Sequence, residues 1–600
     1  MHYFKYAILL SMIIISGCND KLSDKNSERV LYNSSGGKLN TLDPILASDL
    51  VSRDMVAEFY DTLVQYDYVA RPYELRPSML SEMPIINETI TTYTFSLRDD
   101  LFFVDDECFT QKIPAERKIT SQDIIFSLLR LADARNHSPG YWTIRGKIKG
   151  VDTFREKSLT YKPGDFSLYD TKIEGFEIIS PTKFSIHLTK PDPRLLYMLA
   201  MPYASIVSRT AAEYYGSQFM EHPVGSGPFK LSKWRRSHSI ELVRNKTYRE
   251  EYFAHAATPS DRTQRLPLVD RVTCYLVDQP LSSWLMFLKG EMDLSSLDKD
   301  NFDAVVTKDL KLIPVLAQRD IQMIQLPEFQ INYIGFCFSD PVVGKNLNLR
   351  KAISLAYDVG LRVKHFNYRL VPAHGPIPPG VPGYDPKTLN TYSELNIEQA
   401  KKYLTAAGYP DGIDPATGQA LELSFDLGST SSQSRQLAEL FANDMKKIGI
   451  LIKPSLNNKS RFKQKLRKGD MQIFKYSWVG DYPDAENFLQ LFYGPNAGGC
   501  NRASYRNEVF DKMYEPIISM QDSPQRTVQY KEMSKYLATQ CPWIFESFPI
   551  SYRLTHSWLE NYIPHDFAFS RWKYLSINTS KRTAEKKGFT PLSMQDLRND

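Results

Sequence analysis

Three segments decide how this chain is read: LELSFDL (421–427), QSRQLAELFANDMKKIGI (433–450) and MQIFKYSWV (471–479). The first and last alternate like strands that bury one face. The middle one reads as a helix, with basic residues in its last turn and Gly449 ending it. Strand, helix, strand is the signature of an α/β protein. The last strand runs into FKYSWVGDYPDAENF (474–488), where Phe474, Tyr476 and Trp478 share a face and Asp481 and Asp484 flank Tyr482-Pro483. Asp481 either caps the turn that ends the strand or waits at the strand's tip for a ligand.

Working outward, strand and helix signals alternate without a repeat. TYTFSLR (92–98) and KFSIHLTK (183–190) have the period of strands. TSQDIIFSLLRLAD (120–133) reads as a helix capped by Thr120 or Ser121, and NIEQAKKYLTAAGY (396–409) as one capped by Asn396 with Gly408 at its end. The Pro-rich VPAHGPIPPGVPGYDP (371–386) reads as a long crossing loop. GSGPF (225–229) reads as a tight turn whose glycines permit unusual backbone angles. No Lys-Ser/Thr follows it, so it is not a phosphate loop. The polar stretch 580–600 reads as a loosely ordered tail.

A chain of 600 residues suggests two to four domains at roughly 100 to 200 residues each. Lys and Arg number 74 against 69 Asp and Glu, a net +5 too balanced to argue for nucleic acid. MHYFKYAILLSMIIISGC (1–18) has a basic Lys5, a short apolar run and Ser16-Gly17 before Cys18. That is the layout of a secretory signal, and no later run reaches the about 18 apolar residues of a membrane span. Five cysteines remain after Cys18. Cys274 and Cys337 lie in apolar strand-like runs and read as buried thiols, and Cys500 with Cys541 is the candidate bridge. No Cys/His spacing suggests a metal site, and no catalytic motif such as Gly-x-Ser-x-Gly or His-Glu-x-x-His occurs.

The order of several stretches resembles one family, the extracytoplasmic solute-binding proteins of oligopeptide and dipeptide ABC importers. They are LNTLDPILASDLVSRDMVAEFYDTLVQYD (39–67), YTFSLRDDLFF (93–103), VGSGPFKLSKWRRSHSIELVRNKTY (224–248), FLKGEMDL (287–294), LRKAISLAYD (349–358), EQAKKYLTAAGY (398–409) and FANDMKKIGI (441–450). Cys18 resembles the lipidated first residue of a bacterial lipoprotein. The resemblance implies an α/β, two-lobed periplasmic-binding-protein-like clamp (class II type) with an extra inserted domain. Mapped here, residues 1–17 are a signal peptide and 18–29 a tether. Lobe one is 30–65, 170–275 and 490–600, the inserted domain 66–169, and lobe two 276–489.

The implied function is capture of short peptides in the interlobe cleft and delivery to a membrane ABC importer. The protein would act as a monomer on the extracytoplasmic side, held to a membrane by lipid, with no cofactor and no enzymatic step. The same fold in relatives takes nickel chelates, haem, sugars or antimicrobial peptides. A peptide offers a cationic amine, a carboxylate and a ladder of backbone groups, all costly to desolvate without partners. The resemblance makes Asp481 the partner of the amine. It makes Ser477 and Val479 backbone partners, Trp478 a cleft wall, and Ser48 and Leu50 part of the opposite edge. Lys475 falls where relatives place an Arg for the ligand carboxylate. If extension continues, Lys475 and Asp481 share a face about 20 Å apart, enough for a short peptide. Arg467 and Arg435 are further carboxylate candidates, Tyr482 is a further contact, and Asp484 is left as a plain turn residue.

Overall fold

The computed structural model describes residues 28–110, 113–567 and 569–598. Cys18 and the segment read as a signal lie outside the described residues. Strand β1 (Val30–Ser35) opens a first sheet. Helix α1 (Leu50–Phe59) follows, capped by Asp49, which accepts from Ser52 N at 2.9 Å. Its buried residues Val51, Met55, Val56 and Phe59 hold it to the core.

The chain then leaves to build a separate antiparallel sheet from β2 (Ile85–Ile86), β3 (Thr92–Ser96), β4 (Phe176–Ser180) and β5 (Lys183–His187), in the order β2-β3-β5-β4. Tyr93, Phe95, Phe184 and Ile186 face inward, as the alternation in both segments requires. Helix α2 (Ser121–Ala132) lies between β3 and β4 in sequence and starts on a capping box of Thr120 and Asp123. Because β4 and β5 belong to this sheet, the inserted unit runs past the boundary expected at 169.

The first sheet resumes with β6 (Phe229–Arg235), β7 (Ser239–Arg244) and β8 (Arg271–Leu276), in the order β1-β8-β7-β6. Just before β6, a Cβ on Gly225 would come within 2.2 Å of the Phe59 carbonyl oxygen, and one on Gly227 within 2.5 Å of its carbonyl carbon. Neither has a positive φ. These glycines serve close approach to the end of α1, not the unusual backbone angles read from sequence.

The second sheet is larger. Its strands are β9 (Leu294–Ser296), β10 (Gln322–Pro327), β11 (Gln330–Phe336), β12 (Leu370–Pro372), β13 (Glu422–Leu427), β14 (Leu451–Leu456), β15 (Ile473–Val479) and β16 (Trp543–Thr555). The order is β9-β16-β11-β15-β13-β14, with β10 and β12 also paired to the 13-residue β16. Helices α3 (Leu347–Ala356), α4 (Ile397–Ala406) and α5 (Ser432–Lys446) pack on one face, in a core that includes Ile353, Leu404, Phe441 and Ile473. Helix α6 (Lys459–Lys468) links β14 to β15. On the other face, α7 (Glu508–Ser519) and α8 (Pro524–Gln540) share a core with Phe474 and the stacked pair Tyr333–Trp543.

Strand β16 therefore places residues up to 555 with the second sheet, not with lobe one as the 490–600 assignment had it. Past that strand the chain returns to the first sheet, where Arg582 donates to the Val30 carbonyl at 2.7 Å. The described part of the tail, 580–598, is folded, contrary to its polar composition. Helix α9 (Thr579–Lys587) is followed by buried Leu592 and Leu597, which join Trp284, Phe287 and Leu554 in a third core. All five described cysteines are free, so Cys500 and Cys541 form no bridge. Cys541 ends α8 in a left-handed conformation, its thiol turned to the Ala538 carbonyl at 3.4 Å, while Cys500 faces Gln490. Among the described residues, no helix is long and apolar enough to cross a membrane.

Candidate functional site

Strands β13, β14 and β15 are mutually parallel through β13, so their carboxyl ends, Leu427, Leu456 and Val479, point to one edge of the sheet. In open α/β sheets, ligands bind outside that edge. Register then exposes an unpaired strand. Residues 473–479 of β15 pair along their whole length with β11, from Phe336↔Ile473 to Gln330↔Val479. On the other side β13 pairs only at Ile473 and Phe474. From Lys475 to Val479 no strand among the described residues covers the outer edge. Its backbone groups are free to pair with an extended chain.

The strand stops at Gly480, whose N–H donates to the Phe329 carbonyl at 2.8 Å. A Cβ here would lie 2.0 Å from the Phe329 ring, so only glycine lets the chain turn this close. Extension does not continue to Asp481, and the shared-face spacing expected for Lys475 and Asp481 does not apply. Buried Asn487 fixes the turn. Its Oδ1 accepts from the Asp481 N–H at 3.0 Å and from Trp478 Nε1 at 2.9 Å.

The Asp481 carboxylate is partly exposed at the strand's tip and makes no ion pair among the described residues. Burial pushes its pKa up to about 6, against the pull of the Asn487 amide and the positive field of Arg53. Arg53 comes from α1, on the first sheet's side. Burial also raises the Tyr203 hydroxyl, which lies in the fields of Arg53, Asp481 and Asp49. Arg53 and Tyr203 therefore face Asp481 from the opposite lobe, and sequence reasoning missed both. No local signal marked them, since Arg53 sits beside Asp54 in a helix that also carries Ser52 and Glu58.

The other expected residues divide. Ser477 and Trp478 are half-buried and Val479 is 51% exposed, all on the open length of β15. Lys475 is also there, but its ammonium pairs with buried Glu546, which accepts from the Tyr357 hydroxyl as well. That charge is already matched inside the protein, contrary to the carboxylate-anchor expectation. Ser48 and Leu50 are exposed but form the entry to α1 rather than a strand edge, because Asp49 caps the helix between them. Tyr482 is buried, stacked on Tyr197 at 5.7 Å, and donates to Glu486 at 2.5 Å, so it is closed to a ligand. Asp484 is not a plain turn residue. It pairs with Arg526 at 2.8 Å and accepts from Tyr530 at 2.6 Å. Arg435 and Arg467 are exposed and without an ion pair among the described residues. Arg435 sits in the first turn of α5 at the carboxyl edge, whereas Arg467 lies in the last turn of α6, at the far end.

The two lobes meet beside this turn. Buried Glu486 pairs with Arg194 at 2.6 Å, and Arg194 bonds Asp192 at 3.0 Å. Lys147 of the inserted unit pairs with the same Asp192. Among the described residues, no group of three or more His, Cys, Asp or Glu side chains could hold a metal ion.

Comparison with known proteins gives the family and the fold. The family model described as bacterial extracellular solute-binding proteins, family 5 middle, matches residues 74–500. Heme-binding protein A of Haemophilus influenzae is 23% identical over 531 residues, covering 87% of this chain and 87% of that protein. Di/tripeptide-binding protein 2 of Pseudomonas aeruginosa is 25% identical over 468 residues, covering 77% and 79%. Among solved structures, the ABC transporter-associated periplasmic binding protein DppA from Helicobacter pylori, in complex with the peptide STSA, superposes with a TM-score of 0.69 at 20% identity. It covers 92% of this chain and 99% of that one.

Proposed function

Because the chain belongs to the bacterial extracellular solute-binding proteins of family 5, we propose that it is a peptide-binding lipoprotein. In this reading it captures short peptides between its lobes and hands them to a membrane ABC importer, with no chemistry performed on them. Lipid on Cys18 holds it to the membrane, outside the cytoplasm. The observation that carries the reading is the open edge of β15 ending on Asp481, a carboxylate that makes no ion pair among the described residues and has Arg53 as the cation acting on it. The edge supplies backbone pairing that ignores peptide sequence, through Ser477 and Val479, with Trp478 as a wall. Asp481 takes the amine, and a charge-assisted bond there fixes register. The match of Lys475 to Glu546 leaves the ligand carboxylate to other cations.

A second reading rests on the haem-binding relative, whose name assigns it a non-peptide ligand. A thermal-shift screen with di- to pentapeptides and with haem separates the two. Stabilisation by peptides supports the first. Stabilisation by haem and by no peptide overturns it.

A further inference from the structure

Helix α6, KSRFKQKLRK, carries six cations in ten residues and no acid. Among the described residues, only Lys465 is matched by an ion pair, to buried Asp426. Lys459, Arg461 and Lys463 are exposed and have no ion pair among the described residues, and neither does Arg435. The helix is badly served by these charges. A first turn stabilises with acids, and this one has Lys459 and Arg461 instead. Lys459 and Lys463 are like charges four residues apart, as are Lys463 and Arg467, which costs helix stability again. In α9, by contrast, Lys581 and Arg582 find Asp320, Glu585 and Asp293.

Position gives the unmatched charges a use. Helix α6 leaves the carboxyl end of β14 from its cap Asn458. Its apolar side is Phe462 and Leu466, and the Phe462 ring lies 6.0 Å from Tyr476, near the start of the open length of β15. A Cβ on Gly428, at the end of β13, would meet Phe462 at 2.6 Å, so the loop leading to Arg435 abuts the same helix. Lys459 and Lys463, one turn apart, share a side of α6 and Arg461 lies on the other, so exposed cations surround the start of a helix whose apolar side packs beside the open strand, in a chain whose total charge is almost balanced. Clustered charge of one sign at a cleft concentrates ligands of the other sign.

We propose that Lys459, Arg461 and Lys463 of α6, with Arg435 of α5, form a cationic wall that selects peptides with acidic side chains. This rests on the peptide-binding reading and adds the ligand's charge class to it. Titration calorimetry with Ala-Ala-Ala-Ala and Ala-Glu-Ala-Glu tests it, in about 20 mM and about 500 mM salt, which shorten the Debye length from roughly 20 Å to under 5 Å. The acidic peptide should bind about tenfold more tightly in low salt, with the gap closing in high salt. A Lys459→Gln/Arg461→Gln/Lys463→Gln variant should narrow the low-salt gap. Equal affinities in low salt, or a gap that neither salt nor the variant changes, overturn the wall while peptide binding stands. Failure of both peptides to bind overturns the peptide reading and the wall with it.

Discussion

At Asp481, burial does two things at once. It holds the carboxyl near a pKa of about 6, and it outweighs the Asn487 amide and the field of Arg53, which favour the ionised form. The sign of the pH effect follows. The folded, ligand-free protein binds this proton more tightly than the unfolded chain, so the group adds stability as pH falls from about 6 toward 4. An amine needs the ionised form, so affinity for a free-amine peptide should fall below pH 6, approaching tenfold per unit. Affinity measured from pH 8 to 5 checks this, and a flat profile would contradict it. Lys475 shows the limit of sequence reading at the same scale. Its partner Glu546 lies 71 residues away in a different strand, and nothing local announces the pair. Lys475→Met should cost about 3 kcal/mol in urea unfolding, because it strands a buried carboxylate. It should leave peptide affinity within about twofold, as the ammonium is not free for ligand.

Among elements, local signals were the legible ones. The strand–helix–strand of β13, α5 and β15 was readable because period and caps are written within a few residues. The pairing of β3 with β5 could not be read, since it joins residues about 90 apart, from Thr92↔His187 to Ser96↔Lys183. The glycines before β6 were recognised as special for the wrong reason. Their neighbour Phe59 lies far back in the chain, and only the fold brings its carbonyl there. Gly225→Ala should destabilise by about 1–3 kcal/mol through overpacking against backbone, measured by chemical denaturation. The tail was misread because Leu592 and Leu597 are few among polar neighbours. Burial against Trp284 and Phe287 outweighs composition, and Leu597→Asp should lower stability by about 2–4 kcal/mol in the same assay.

For the whole molecule, the fold and the family were legible from ordered stretches spread over most of the chain. The boundaries were not, because β16 returns to the second sheet long after the segment assigned to that lobe. The lobes meet through Arg194 and Glu486 and through the Tyr197–Tyr482 stack, next to the turn that carries Asp481. Ligand bound at that turn is placed to sense the relation between the lobes, and closure on a peptide should reduce the radius of gyration seen by solution scattering. The central claim, that Asp481 anchors a peptide's amine, is tested most directly by titration calorimetry of wild type and Asp481→Asn with one peptide, free and N-acetylated. The predicted result is at least tenfold weaker binding of the free peptide by the variant. Wild type should bind the acetylated peptide comparably weakly, and the variant should not distinguish the two. Unchanged affinity of the folded variant for the free peptide would contradict the account.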